Sequence, residues 1–190
     1  MEIKNFVKIY DEVLPWQGVS KLLKFTNFSV DKFEAAKVGG GKEARVNFKI
    51  RNTFNLDLNN CDNSLTNVHW YCLLFKLFKT HIGKYINDLK VSVPIKSISS
   101  ISILKYENKG FYTWHTDHFE DIPRTLSCIL LLNNDYEGGN LCFRNPDGSG
   151  EWEVEVKPNR LIIWPSGFLY PHTVKPVTKG TRYSVVAWAL

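Results

Sequence analysis

The sequence predicts a mostly β protein with N-terminal helices, built as an all-β sandwich or jelly roll with a helical layer packed on one sheet. Three observations predict it. Up to about residue 90 the apolar residues recur at helical spacing. Beyond that point they fall into short runs separated by turn residues. Helical patterns do not alternate with those runs, which argues against a doubly wound parallel sheet. The 190 residues suffice for one ordinary domain with a real core. The expected organisation is a single unit, 1–190, in which 1–95 is a helical support and loop region and 96–190 a jelly-roll core.

The elements follow in order. Pro15 fits the first turn of a short helix, with Trp16, Val19, Leu22, Leu23 and Phe25 as its apolar side. From Leu65 to Leu89, after the candidate cap Ser64, Val68, Tyr71, Cys72, Phe75, Phe78, Ile82, Tyr85, Ile86 and Leu89 recur at three and four residues. That pattern predicts a long amphipathic helix covering a sheet. Strands are predicted in SISSISILKYE, RTLSCILLLN, GNLCFRN, EWEVEVK, RLIIWP and TRYSVVAWAL. The segments YEGG, NPDGSG, KPN and KPVTKG supply the turns between them.

Composition narrows the class. Apolar residues at 44% and charged residues at 23% describe a compact globular chain rather than a disordered one. The net charge of +5 favours anionic partners, but no dense basic block calls for nucleic acid. Cys61, Cys72, Cys128 and Cys142 form no CxxC pair, and MEIKNFVKIYDEVLPW lacks the basic flank and apolar run of a secretory signal. The expectation is a cytoplasmic protein with reduced thiols. No apolar run approaches the length of a membrane span, so no membrane partner is expected.

The segment WHTDH carries two of the five histidines on either side of an aspartate. In an extended strand, His115 and Asp117 leave the same face and can share one ion. His172, in PHTV, lies in another predicted strand. Two histidines and a carboxylate form the facial triad of non-heme Fe(II) sites, which leaves positions open for other ligands. Ten residues on, Arg182, Ser184, Val186 and Trp188 share one face of a strand, and Tyr183, Val185 and Ala187 take the other. A core-facing arginine is costly unless it meets an anion, and its fork suits a carboxylate. Ser184 can donate to the same group, so a small dicarboxylate could chelate the metal at one end and pair with Arg182 at the other.

On these residues the sequence resembles the 2-oxoglutarate- and Fe(II)-dependent dioxygenases, in particular their prolyl 4-hydroxylase-like branch. YENKGFYTWHTD, EGGNLCF and RLIIWPSGFLYPHTVKPVTKGTRYSVVAW, between Ile101 and Trp188, carry the resemblance. It implies a double-stranded β-helix, a cupin-like jelly roll with the metal at its mouth. It also implies His115, Asp117 and His172 as iron ligands and Arg182 as partner of the distal carboxylate of 2-oxoglutarate. Tyr106 is implied as a cosubstrate contact and Trp188 as part of the same pocket. The implied reaction consumes O2 and decarboxylates 2-oxoglutarate to succinate and CO2 while hydroxylating an amino-acid side chain. That side chain would belong to a prolyl residue, another residue of a peptide or protein, or a free amino acid, with ascorbate as a candidate reductant. Three positions depart from the pattern: Arg182 where several prolyl hydroxylases use Lys, Leu131 where oxygen-sensing members carry a tyrosine, and Gly110 one place late.

Competing readings are a non-catalytic or cupin-like metal-binding module and an oxidative nucleic-acid demethylase. The latter is disfavoured because Trp188 stands where that branch has a second arginine. Phe111, Trp114 and Trp164 are expected to wall the triad. His118 reads as incidental. His69 and His81 lie about 18 Å apart along a helix and cannot share an ion. Gly39, Gly40, Gly41 and Lys42 miss phosphate-loop spacing. The basic loop 37–51, with Lys37, Lys42, Arg45, Lys49 and Arg51 against Glu34 and Glu43, is a candidate contact for an acidic or extended substrate. Arg144 is a further candidate of the same kind.

Overall fold

A computed structural model describes residues 2–39, 44–59 and 64–190. Cys61, Gly40, Gly41, Lys42 and Glu43, singled out above, lie outside the described residues. Among the described residues the α-helices are α1, Trp16–Phe28, and α2, Leu65–Leu89. The first strands in chain order are β1, Lys8–Asp11; β2, Glu34–Ala35; β3, Lys37–Val38; β4, Arg45–Val46; β5, Arg51–Asn52; and β6, Phe54–Asp57. After α2 come β7, Ile98–Tyr106; β8, Phe111–His115; β9, Leu126–Leu131; β10, Glu137–Gly138; and β11, Leu141–Phe143. The last are β12, Trp152–Glu153; β13, Arg160–Pro165; β14, His172–Val174; β15, Val177–Lys179; and β16, Arg182–Ala189.

The larger sheet has the order β1-β13-β9-β16-β7-β6-β2 and the smaller β12-β11-β14-β8-β5, with antiparallel pairing throughout. Central strands of the larger sheet are buried on both faces. Leu161, Ile163, Cys128, Leu130, Val185 and Ala187 pack beneath the helices. Their alternating neighbours Ile162, Trp164, Ile129, Leu131 and Val186 face the smaller sheet across a second apolar cluster with Phe143 and Val174. This explains why CILLL and LIIW are continuous apolar runs: a strand covered on both sides has no solvent face to mark with polar residues.

Ser64 caps α2 by accepting a hydrogen bond from the Asn67 N–H at 3.4 Å, and the helix ends at Lys90 in a left-handed conformation. Its buried stripe is Trp70, Leu74, Leu77, Phe78, Ile82 and Tyr85. Cys72 is exposed and Val68 is 40% exposed, against the expected apolar side. The stripe is centred on Trp70, and at 100° per residue both positions rotate away from it. Pro15 sits one residue before α1, at its N-cap position rather than in its first turn.

The 1–95 region supplies strands as well as helices, which corrects the expected division. β1 extends one edge of the larger sheet against β13, β6 and β2 extend the other beyond β7, and β5 adds to the smaller sheet beside β8. These strands have two to four residues, such as KIYD and FNLD, and edge strands of that length carry no strong alternation. EWEVEVK contributes only Trp152–Glu153. Among the described residues no helix is long and apolar enough to cross a membrane.

Candidate metal centre

β8 ends on His115 and β14 begins on His172, and the two are register partners on neighbouring strands of the smaller sheet. Their ring centroids lie 4.2 Å apart. Asp117 is not on an extended strand, as its spacing from His115 had suggested. The chain bends after β8, and the Asp117 N–H donates to the Ser166 carbonyl at 3.2 Å. The bend achieves what the strand would have: one donor atom from each of His115, Asp117 and His172 lies within 4.8 Å of the others. Nε2 of His115 is 3.6 Å from Asp117 Oδ1, and Nε2 of His172 is 3.4 Å from Oδ2.

The surrounding hydrogen bonds fix this set for a cation. Nδ1 of His115 meets the Thr113 carbonyl at 2.8 Å, and Nδ1 of His172 meets the Tyr170 carbonyl at 3.0 Å. A carbonyl only accepts, so each Nδ1 carries a proton and Nε2 is the nitrogen that each ring offers towards Asp117 and an ion. Burial, with His172 alongside, pushes the His115 imidazolium down to about 3, which keeps that ring neutral. Burial alone would raise the Asp117 carboxyl, but the two histidines and the Ser127 hydroxyl outweigh it and hold it below the usual range. Ser127 Oγ donates to Asp117 Oδ2 at 2.7 Å and lies 2.7 Å from Ser166 Oγ. Because the Ser127 proton goes to the carboxylate, Ser166 must donate to Ser127 in turn.

Arg182 opens β16 and pairs in register with Tyr106 on β7, its guanidinium 5.0 Å from that ring's centre. Its side chain is fully buried. Nη1 donates to Ser184 Oγ at 2.9 Å, whereas Nε and Nη2 are buried without a partner among the described residues. Ser184 therefore accepts from the arginine, leaving its own proton free for a ligand. Trp188, two turns of the pleat further on, lies 3.9 Å beneath the Arg124 guanidinium.

The walls differ from expectation. Tyr112 stacks on His115 with centroids 3.5 Å apart, and Trp164 meets His172 edge-on at 5.0 Å. Trp114 instead carries the Arg144 guanidinium, 4.2 Å above its ring. Neither Tyr112 nor Arg124 was singled out in the sequence. Arg124 also donates to the Asp117 carbonyl at 3.3 Å, and it lines the same cavity as Arg51, which lies 4.7 Å over Tyr112. The only signal for Arg124 was one basic residue in the otherwise acidic segment HFEDIPR. His118 stays exposed with Nδ1 on the Arg124 carbonyl. A second cluster, Cys142, Glu151 and Glu153, is already occupied by Lys175, whose Nζ lies 2.7 and 3.0 Å from the two carboxylates. Burial pushes its thiol up to about 12, which disfavours a metal there.

Comparison with known proteins places this geometry. Residues 101–190 match the 2OG-Fe(II) oxygenase superfamily. A PKHD-type hydroxylase from Synechococcus sp. (strain CC9902) is 36% identical over 104 residues, covering 53% of this chain and 45% of that protein. One from Stenotrophomonas maltophilia (strain R551-3) is 36% identical over 93 residues, 44% of this chain and 40% of its own length. The chain thus spans less than half the length of these curated relatives. Among solved structures, a Pseudomonas putida prolyl-4-hydroxylase superposes with TM-score 0.71 at 20% identity, over 97% of this chain and 91% of that one. A Trichoplax adhaerens prolyl hydroxylase, in complex with a hypoxia inducible factor peptide fragment, gives 0.75 at 17% identity, over 98% and 84%. At these identities the likeness is one of fold, the double-stranded β-helix.

Proposed function

We propose, from the match of residues 101–190 to the 2OG-Fe(II) oxygenase superfamily, that the chain is an Fe(II)- and 2-oxoglutarate-dependent hydroxylase of the prolyl hydroxylase kind. The observation that carries this reading is Arg182, a fully buried guanidinium with two unpartnered nitrogens on the strand that lines the metal-binding cavity. Such a group is tolerated where an anion completes it. The donor set fits the metal: two imidazole Nε2 atoms and one carboxylate suit Fe(II) and leave coordination positions open.

His115, Asp117 and His172 would hold Fe(II), and Arg182, with Ser184, Tyr106 and Trp188, would hold 2-oxoglutarate. Together with O2 these groups supply the oxidising chemistry, turning 2-oxoglutarate into succinate and CO2 as a substrate C–H becomes C–OH. The remaining work belongs to the chain. Ser127 and Ser166 keep the Asp117 carboxylate aimed, the Nδ1 bonds keep both imidazoles in one tautomer, and Tyr112 and Trp164 shield them from water. Arg51 and Arg124, with their guanidinium carbons 4.7 and 3.9 Å from the centres of Tyr112 and Trp188, both line the cavity. They suit a substrate carbonyl or carboxylate, as in a prolyl or other residue of a peptide or in a free amino acid. We place the unit, 1–190, in the cytoplasm with its thiols reduced, and ascorbate as a supporting reductant.

The alternative of a metal-binding module without turnover leaves the buried charge of Arg182 unexplained. The deciding experiment is anaerobic titration with Fe(II) and then 2-oxoglutarate, following the visible charge-transfer band of the chelate. A band in wild type that is lost in His115→Ala supports the reading, and no band in wild type overturns it. A screen of proline-containing peptides and free amino acids for the mass gain of one oxygen then identifies the substrate.

A further inference from the structure

We infer that Tyr136 is a second donor, beside Arg182, to the distal carboxylate of 2-oxoglutarate. This rests on the reading of Arg182 given above. Tyr136 stands immediately before β10, in the segment YEGG. The backbone there is shaped to admit its ring. Gly139 has φ +64°, and a Cβ on it would fall 3.0 Å from Arg182 Cδ and 3.2 Å from Tyr136 Cε2. Gly180, in the turn between β15 and β16, has φ +77°, and a Cβ there would meet Tyr136 Cα at 3.1 Å and its Cβ at 3.2 Å. Two left-handed glycines from two different turns thus clear one slot, and in it the Tyr136 ring lies against the stem of Arg182.

The polar ends of the pair carry the inference. The Tyr136 hydroxyl, Arg182 Nε and Arg182 Nη2 are all buried; the phenol lies close enough to the guanidinium to feel it as a hydrogen-bond donor, yet none of the three atoms makes a hydrogen bond of good geometry to a described residue. Orphaned buried donors are rare, and three on two adjacent side chains ask for one acceptor. A carboxylate accepts from all three and also neutralises the guanidinium, which a water molecule would not. The phenol keeps its proton for this role: burial raises it above the ordinary range, and the nearby Arg182 charge only partly opposes that. Leu131, opposite Ser184 on β9, offers no donor on that side.

The test is anaerobic titration of Fe(II)-loaded wild type and Tyr136→Phe with two 2-oxo acids, 2-oxoglutarate and 2-oxobutyrate, following the chelate band. 2-Oxobutyrate chelates in the same way but has no distal carboxylate. Tyr136→Phe should raise the Kd for 2-oxoglutarate about tenfold, the size of one hydrogen bond to a charged group. It should leave that for 2-oxobutyrate unchanged. The thermal midpoint should stay level or rise, because the variant removes an unsatisfied buried hydroxyl. Equal 2-oxoglutarate affinity in both proteins, a parallel loss for both acids, or a fall in stability with no selective loss would each overturn the assignment. Absence of the band from wild type would overturn the hydroxylase reading and this assignment with it. A normal wild-type band with no selective loss would sink the role of Tyr136 alone.

Discussion

Arg160 and Arg182 each open a strand of the larger sheet, and both are buried, yet only one is satisfied. Arg160 Nε and Nη2 grip Asp11 at 2.7 and 3.0 Å, and Nη1 reaches the Glu155 carbonyl at 2.8 Å and its carboxylate at 3.1 Å. That arginine clamps the edge strand β1 to β13, and each of its three nitrogens has a partner. Arg182 has one bond, to Ser184, and two idle nitrogens. The difference separates two kinds of buried charge: one that is fully paired holds the fold, and one that is half paired asks for an anion to complete it.

The contrast can be broken most strongly at Arg182. Arg182→Ala should weaken 2-oxoglutarate binding by about a hundredfold or more, since a charge-paired carboxylate loses its partner, while leaving the thermal midpoint level or higher. Anaerobic titration and a melting curve read both, and a large loss of stability would show that Arg182 is structural after all. Ser127→Ala extends the idea to the aspartate, whose carboxylate would lose its positioning hydroxyl. Fe(II) affinity should fall about tenfold, measured by competition with a chelator. Arg160→Ala should do the reverse of Arg182→Ala. It should cost about 1–3 kcal/mol of unfolding free energy, reduced because Asp11 is partly exposed, with 2-oxoglutarate affinity unchanged.

The smallest effect is in pH. Arg160 holds the Asp11 carboxyl down to about 2 against an opposing burial effect, with Lys157 assisting. A depressed folded pKa stabilises above the unfolded value of about 4 and is lost as pH falls from there towards 2. Denaturant midpoints taken across that window should show a shallower acid decline in Arg160→Ala than in wild type. Equal slopes would mean that the clamp contributes nothing through this carboxyl.

Much of this was legible in the residues. Ser64 and the three-and-four spacing after it give α2, and the unbroken apolar runs CILLL and LIIW give strands covered on both faces. His115, Asp117, His172 and Arg182 stood out because each is an expensive residue beside apolar ones, and the structure gathers the first three into one cluster. What was not legible depends on partners distant in sequence. The Asp117 bend is set by Ser166, and the β1 and β5 edges exist only because β13 and β8 offer open ladders. Tyr136 looks like an ordinary turn residue until Gly139 and Gly180 are seen to make room for it.

His115 and His172 face one another across two adjacent strands, β8 and β14, of five and three residues in the smaller sheet. An ion bridging them would act as a rivet through the weaker of the two sheets, where short ladders leave local opening inexpensive. Amide exchange should therefore slow on Fe(II) binding in β8 and β14 and stay unchanged in β9 and β13, which the helical core already secures. Loading the metal and finishing the fold would then be, for that sheet, one cooperative event.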